Sequence, residues 1–243
     1  MILWVNGWKR RSRHIIKTMH EFRDVVVNKP WGFEYLVYES SEVALWLLHI
    51  KQGESTSLHC HPLKTTGFLL LQGEAELEFL ADKKQVVAPE KQMIRRGLFH
   101  KTRALSKGGI YLFEIENPND KEDLVRLSDF YGRSSDGYEQ AASFEVKPSS
   151  YLSITEPDNY DVVEYNNDHA TFSVQRINKL EYFQELNDTD IIMFLRGGIG
   201  KEVSGRNHLA TVPGDIGRAS IVGKVAAEME FVSPDTLVLR VSA

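Results

Sequence analysis

Gly53-Glu-Ser-Thr-Ser-Leu-His-Cys-His61, running on through Thr66 and Phe68-Leu-Leu-Leu71 to Gly73, is the stretch on which the reading of the fold turns. In an extended strand successive side chains alternate faces, so His59 and His61 project to one side and Cys60 to the other. Two imidazoles on one face are a ready metal chelate. Phe68-Leu71 reads as a buried strand, and Gly73-Glu-Ala-Glu-Leu-Glu-Phe79 alternates like a half-buried one. Gln72-Gly73 is expected as the tight turn between them. A third imidazole, His100, follows Arg96-Gly97 and opens a further strand candidate that ends in Ile110-Tyr-Leu-Phe-Glu-Ile115.

The totals bound what such a chain does. Its 243 residues, 42% of them apolar, suffice for one large or two smaller domains with a sizeable core. Glycines and prolines are scattered, as suits short strands joined by turns. The net charge of −5 conceals an asymmetry, because Lys9, Arg10, Arg11, Arg13, Lys17 and Arg23 crowd the beginning. The acidic remainder excludes nucleic acid as the main partner, since neutralising phosphates needs a basic face. Cys60 is the only cysteine, which excludes an internal disulfide or a zinc finger and points to a reducing, cytoplasmic compartment. Met1-Ile-Leu-Trp-Val5 precedes Lys9-Arg-Arg11, the reverse of a secretory signal. No stretch approaches the roughly 18 apolar residues of a membrane span, so no membrane partner is expected.

Residues 1–24 read as a basic arm, and Trp4 and Trp8 give it an alternative role in contacting a partner or a membrane surface. Strand candidates follow at Val25-Val27, Phe33-Tyr38 and Val43-Ile50, with Asn28-Lys-Pro-Trp-Gly32 bent by Pro30 and Gly32. His49 lies in an apolar strand and reads as a satisfied core residue. Residues 134–158 are Ser, Gly and Pro punctuated and read as a linker between units at 25–133 and 159–243. The second unit echoes the first weakly: Ala170-Ile177 matches the character of Ala44-Ile50, and Ile191-Gly197 that of Gly67-Gly73. Strand candidates Glu228-Val232 and Thr236-Val241 complete the echo. His169 and His208 stand alone in polar turns, so no metal is expected there.

The spacing Gly53, His59, His61, Gly73 resembles the first motif of the cupin superfamily, and Gly97 with His100 matches part of the second. Thr66 stands where that family places a glutamate ligand, Arg95 where it has Pro and Ala104 where it has Asn. The resemblance narrows further to the type II mannose-6-phosphate isomerases. Ser57-Leu-His-Cys-His61 is similar to their Ser-Leu-Gln-x-His stretch, and Asn28-Lys-Pro-Trp-Gly32 to their entry loop. Glu122-Asp-Leu-Val-Arg-Leu-Ser-Asp-Phe-Tyr-Gly-Arg133 is similar to their closing segment.

This resemblance implies an all-β, double-stranded β-helix fold in two tandem barrels with few helices, the second degenerate. It implies one divalent ion, zinc first, on His59, His61 and His100, and no organic cofactor. Arg133 and His100 would be catalytic. Arg133, Arg126, Lys64 and Trp31 would contact a small phosphorylated or nucleotide sugar. A guanidinium suits phosphate because its planar fork bonds two oxygens at once. Arg126 and Arg133 could instead pair with Asp123 and Asp129.

The implied activity is aldose–ketose isomerisation in carbohydrate or polysaccharide precursor metabolism. A metal-free nucleotide-sugar epimerase, with His100 or His61 as base and Tyr35, Tyr38 or Tyr111 as acid, is one alternative, and a non-catalytic carbohydrate-binding module another. For isomerisation the base stays open among Glu76, Glu78 and Glu114. Exposed strand edges suggest a homodimer.

Overall fold

The computed structural model describes residues 22–133, 138, 143–166 and 170–242. Most of the expected arm, including Trp4 and Trp8, lies outside the described residues, as does His169. Phe22 is buried against Trp46, Tyr138 and Phe144, so the end of the expected arm belongs to the core.

The chain is almost entirely β. In the first half the strands are β1 (Val25–Lys29), β2 (Gly32–Glu39), β3 (Ala44–Ile50), β4 (Leu58–Cys60), β5 (Thr65–Gln72), β6 (Glu74–Phe79), β7 (Lys83–Val87), β8 (Glu90–Ile94), β9 (His100–Ala104), β10 (Ile110–Asn117) and β11 (Val125–Ser128). Then come β12 (Phe144–Val146), β13 (Val163–Asn166), β14 (Thr171–Arg176), β15 (Ile191–Arg196), β16 (Ile199–Val203), β17 (Arg206–Leu209) and β18 (Ile216–Arg218). A single α-helix among the described residues, α1 (Ala219–Ala226), precedes β19 (Phe231–Val232) and β20 (Leu237–Val241). No described helix is long and apolar enough to cross a membrane.

Two sheets form the first barrel. One runs β12-β1-β2-β3-β10-β5-β8 and the other β11-β4-β9-β6-β7. The larger sheet is apolar on both faces, which is why its strands read as continuous apolar runs. Trp46, Leu48, Phe68, Leu70, Ile110 and Leu112 point into the barrel. Leu45, Leu47, Leu69, Leu71, Phe113 and Ile115 point the other way, where they meet Phe172, Val174, Ile191, Met193 and Leu239 of the second half. A shared apolar core therefore joins the two halves.

The second half repeats the order of the first: β13-β14-β20-β15-β18 matches β2-β3-β10-β5-β8, and β17-β16-β19 matches β7-β6-β9. Its interior is filled. Phe183, from the 3-10 turn Leu180–Gln184, packs with Val222 and Ala226 of α1 and with Ile192 and Phe194. The tandem double-stranded β-helix is thus the architecture, with the second barrel plugged by its own side chains.

Four details depart from the sequence expectations. Gln72-Gly73 is no hairpin turn, because β5 and β6 belong to different sheets. It is a corner where Gly73 takes φ 89° and a Cβ would come within 2.9 Å of the Gly109 carbonyl. The run from His100 to Ile115 is two strands, β9 and β10, again in separate sheets. His208 lies on the exposed strand β17 instead of in a turn. Within 134–158, β12 pairs with β1 and the Ile154 amide donates to the Val37 carbonyl, so part of the expected linker completes the first sheet.

Candidate metal centre

His59 sits on β4 directly across the ladder from His100 on β9, and strand alternation returns His61 to the same face as His59. The ring centroids lie 4.4 Å apart for His59 and His100, 4.9 Å for His59 and His61, and 5.5 Å for His61 and His100. One nitrogen from each ring falls within 4.8 Å of the others. The three imidazoles that the sequence nominated therefore converge.

Each ring is oriented by the backbone. Nδ1 of His59 donates to the Ser57 carbonyl at 2.8 Å, that of His61 to the Asp123 carbonyl at 2.6 Å and that of His100 to the Leu98 carbonyl at 3.0 Å. A carbonyl can only accept, so Nδ1 carries the proton and Nε2 keeps its lone pair. The Nε2 atoms of His61 and His100 are buried with no hydrogen-bond partner. Buried acceptors left this way are uncommon and call for a ligand.

Burial, then the neighbouring His100 and His61, hold His59 well below the ordinary imidazole range. Burial with Lys64 and His100 pushes His61 down to about 2, and burial with Lys64 pushes His100 down to about 4 despite its carbonyl bond. All three rings are neutral at physiological pH, the form that coordinates metal. The residues present fit a divalent ion, and three neutral imidazoles would leave a coordination position open.

Thr66, in the glutamate's place, is fully buried and its hydroxyl has no partner. No carboxylate joins the three-nitrogen group among the described residues.

The rings line a cavity of about 60 Å³ shared with Trp31, Lys64, Glu114, Arg126 and Arg133. Its remaining wall carries an ionic network. Lys64 Nζ donates to Glu116 at 2.9 Å and to the Asp120 carbonyl at 2.9 Å. Lys121 lies 3.3 Å from both Glu116 and Glu34, and Lys29 lies 3.4 Å from Glu34. Burial pushes the Glu34 and Glu116 carboxyls up, but the lysines outweigh it and hold both below the usual range.

Of the residues expected to touch substrate, Lys64 is 1% exposed and committed to this network. Trp31 is buried and lines the cavity. Arg126 stands opposite His59 in the β11–β4 ladder. Arg133 lines the cavity and pairs with Asp129, Nη2 to Oδ1 at 2.7 Å, the ion-pair alternative the sequence left open. Asp123 instead accepts the Leu63 and Lys64 amides, which fixes the loop after His61.

Glu76 and Glu78 pair with Lys83 and Lys101 and do not line the cavity; Glu114 does. Tyr35 and Tyr38 belong to the core between the halves, with Tyr111 packed against it, so none stands beside the histidines as an acid. His49 bonds the Ile110 carbonyl and stacks on Tyr111, apart from the triad. Sequence reasoning missed Glu34, Glu116 and Lys121, charged residues whose only signal was that they interrupt apolar strands and loops, and it quoted Lys29 within the Asn28–Gly32 loop without giving it a role.

No protein-family model matches the chain, and no curated protein matches it. Among solved structures it is similar to KdgF from Halomonas sp., at 16% identity and a TM-score of 0.37, over 41% of this chain and 89% of that one. It is also similar to a conserved protein with a double-stranded β-helix domain from Klebsiella pneumoniae subsp. pneumoniae, at 16% identity and a TM-score of 0.38, over 49% and 100%. The cupin domain of Schizosaccharomyces pombe Cnp3 is similar at 13% identity and a TM-score of 0.34, over 36% and 64%.

Proposed function

We propose that the first barrel is a metal-dependent carbohydrate site and that the chain is an aldose–ketose isomerase of a small phosphorylated sugar of the mannose 6-phosphate kind. The observation that carries this reading is the convergence of three neutral imidazoles, with the Nε2 atoms of His61 and His100 buried and without a hydrogen-bond partner, on a cavity that two arginines also line. His59, His61 and His100 would hold the ion. When bound, it supplies a Lewis acid that polarises a carbonyl or hydroxyl oxygen.

The chain's own residues do the rest. Arg133, held in place by Asp129, would contact the phosphate, with Arg126 beside the triad as the second anchor. Anchoring the phosphate away from the reacting carbons converts binding into orientation. The cavity would take the sugar end beside the three histidines. The filled second barrel contributes no chemistry and supports the large sheet from behind.

The test is direct. Purified protein should carry one divalent ion per chain, lost in His61→Ala, and should convert mannose 6-phosphate to its ketose in an ion-dependent manner. A metal-free protein that converts no phosphorylated aldose sinks the proposal.

A further inference from the structure

Three carboxylates and three ammonium groups are packed along the barrel wall, and they are not shared evenly. Lys64 and Lys121 pair with Glu116, and Lys121 and Lys29 pair with Glu34. Glu114 receives no hydrogen bond or ion pair among the described residues. It stands on β10 between Trp46 of β3 and Phe68 of β5, both fully buried, and its carboxylate faces the cavity that the three histidines line. It lies outside the three-nitrogen group.

A carboxylate that no lysine contacts directly, flanked across the ladders by two buried aromatic residues and lining the cavity, is placed to act on what the cavity holds. We infer that Glu114 is the proton-transfer residue of this cavity, taking a proton from one carbon of the bound sugar and returning it to the next. The inference rests on the reading of the cavity as an isomerase site and names the base that reading lacks.

The step balances within the substrate. The Glu114 carboxylate removes the C2 proton, the C–H pair becomes the C1–C2 double bond, and the carbonyl pair moves onto O1. The carboxyl then returns its proton to C1 while the O2 proton passes to O1, giving the ketose. No oxidant or reductant is consumed.

The surrounding charges suit the task. Burial first, and then the adjacent Glu116 charge with Glu34, push the Glu114 carboxyl up to about 7, against the pull of Lys121 and Lys64. A base poised near neutrality exchanges protons in both directions with little loss.

The experiment follows the C2 proton of mannose 6-phosphate by NMR in D₂O, using the metal-loaded full chain, Glu114→Gln and Glu114→Asp. Wild type should wash the proton out, with a rate that rises through an apparent pKa near 7. Glu114→Gln should keep its ion and its fold while losing about 10³-fold in washout, and Glu114→Asp should retain part of the rate. A carboxylic-acid infrared band that titrates near pH 7 and is missing from Glu114→Gln supports the assignment without any turnover. Washout without ketose formation overturns the isomerase reading and keeps Glu114 as the proton carrier. Wild-type washout in folded, metal-bound Glu114→Gln, or no washout in wild type, overturns the assignment.

Discussion

Glu116 lies directly across the β10–β5 ladder from Thr66. A carboxylate is therefore present beside the position where the resembling family has its fourth ligand, but on the neighbouring strand and bound to Lys64 and Lys121. If Thr66 takes no part in coordination, its buried, unpartnered hydroxyl is a pure desolvation cost. Thr66→Val should stabilise the protein by about 1 kcal/mol in urea titrations. Metal content should be unchanged, and a loss of the ion would make Thr66 a ligand.

The Lys64–Glu116 pair is a buried charge pair with both side chains almost fully enclosed. Removing one partner strands the other, so Lys64→Met should cost about 3–5 kcal/mol by chemical denaturation. Pairing it with Glu116→Gln should cost less than the sum of the single changes, because the stranded charge is then gone. Additive losses would show that the two groups do not depend on each other.

The triad was legible because alternation along β4 is a local property: His59 and His61 share a face whatever the rest of the chain does. His100 was placed by resemblance alone, since its pairing with His59 depends on how two sheets close. Glu114 could not be assigned, because β10 is covered on both faces and Ile110-Tyr-Leu-Phe-Glu-Ile115 gives no polar alternation from which to read an inward side. The Gln72-Gly73 corner reads like a hairpin turn in sequence because both structures ask for a glycine at positive φ. Helix α1 was missed because its eight residues, Ala219-Ser-Ile-Val-Gly-Lys-Val-Ala226, are too few and too rich in β-branched side chains to stand out from a strand. The repeat of strand order between the halves was visible as paired apolar runs, while the plugging of the second barrel depends on packing that those runs do not record.

Stability should respond to pH with two opposing signs. In the folded metal-free protein the three histidines stay unprotonated well below their ordinary 6.5, whereas the unfolded chain takes up protons as soon as pH falls past that value. Each therefore removes about 1.4 kcal/mol of stability at one pH unit below 6.5. Glu114 acts oppositely. Its folded value is raised from 4.5 to about 7, so its contribution is fully present below 4.5 and is lost as pH climbs through 7. Glu114→Gln should relieve on the order of 3 kcal/mol above pH 8 and nothing near pH 4. Denaturation midpoints of the metal-free protein across pH 4–9 check both limbs, and an unchanged alkaline limb in the variant would mean that Glu114 titrates normally.

Gly67 marks where the halves press closest. A Cβ there would come within 2.6 Å of Ile115 Cγ2, 3.1 Å of the Gly214 carbonyl and 3.1 Å of Ile216 Cγ2, the last two from the second half. The same seam carries the Arg218–Glu90 ion pair at 2.9 Å and the bond from Asn117 Nδ2 to the Pro213 carbonyl. Because β5 is packed on both faces, it cannot retreat from the added methyl without disturbing Phe68 and Leu70 on the cavity side. Gly67→Ala should therefore cost about 2 kcal/mol. Gly108→Ala, with open space around the new Cβ, should cost far less. If the halves fold as one unit through their shared core, thermal unfolding of Gly67→Ala should remain a single transition at lower temperature. Two separated transitions, with only one of them shifted, would mean that the contact at Gly67 does not couple the halves.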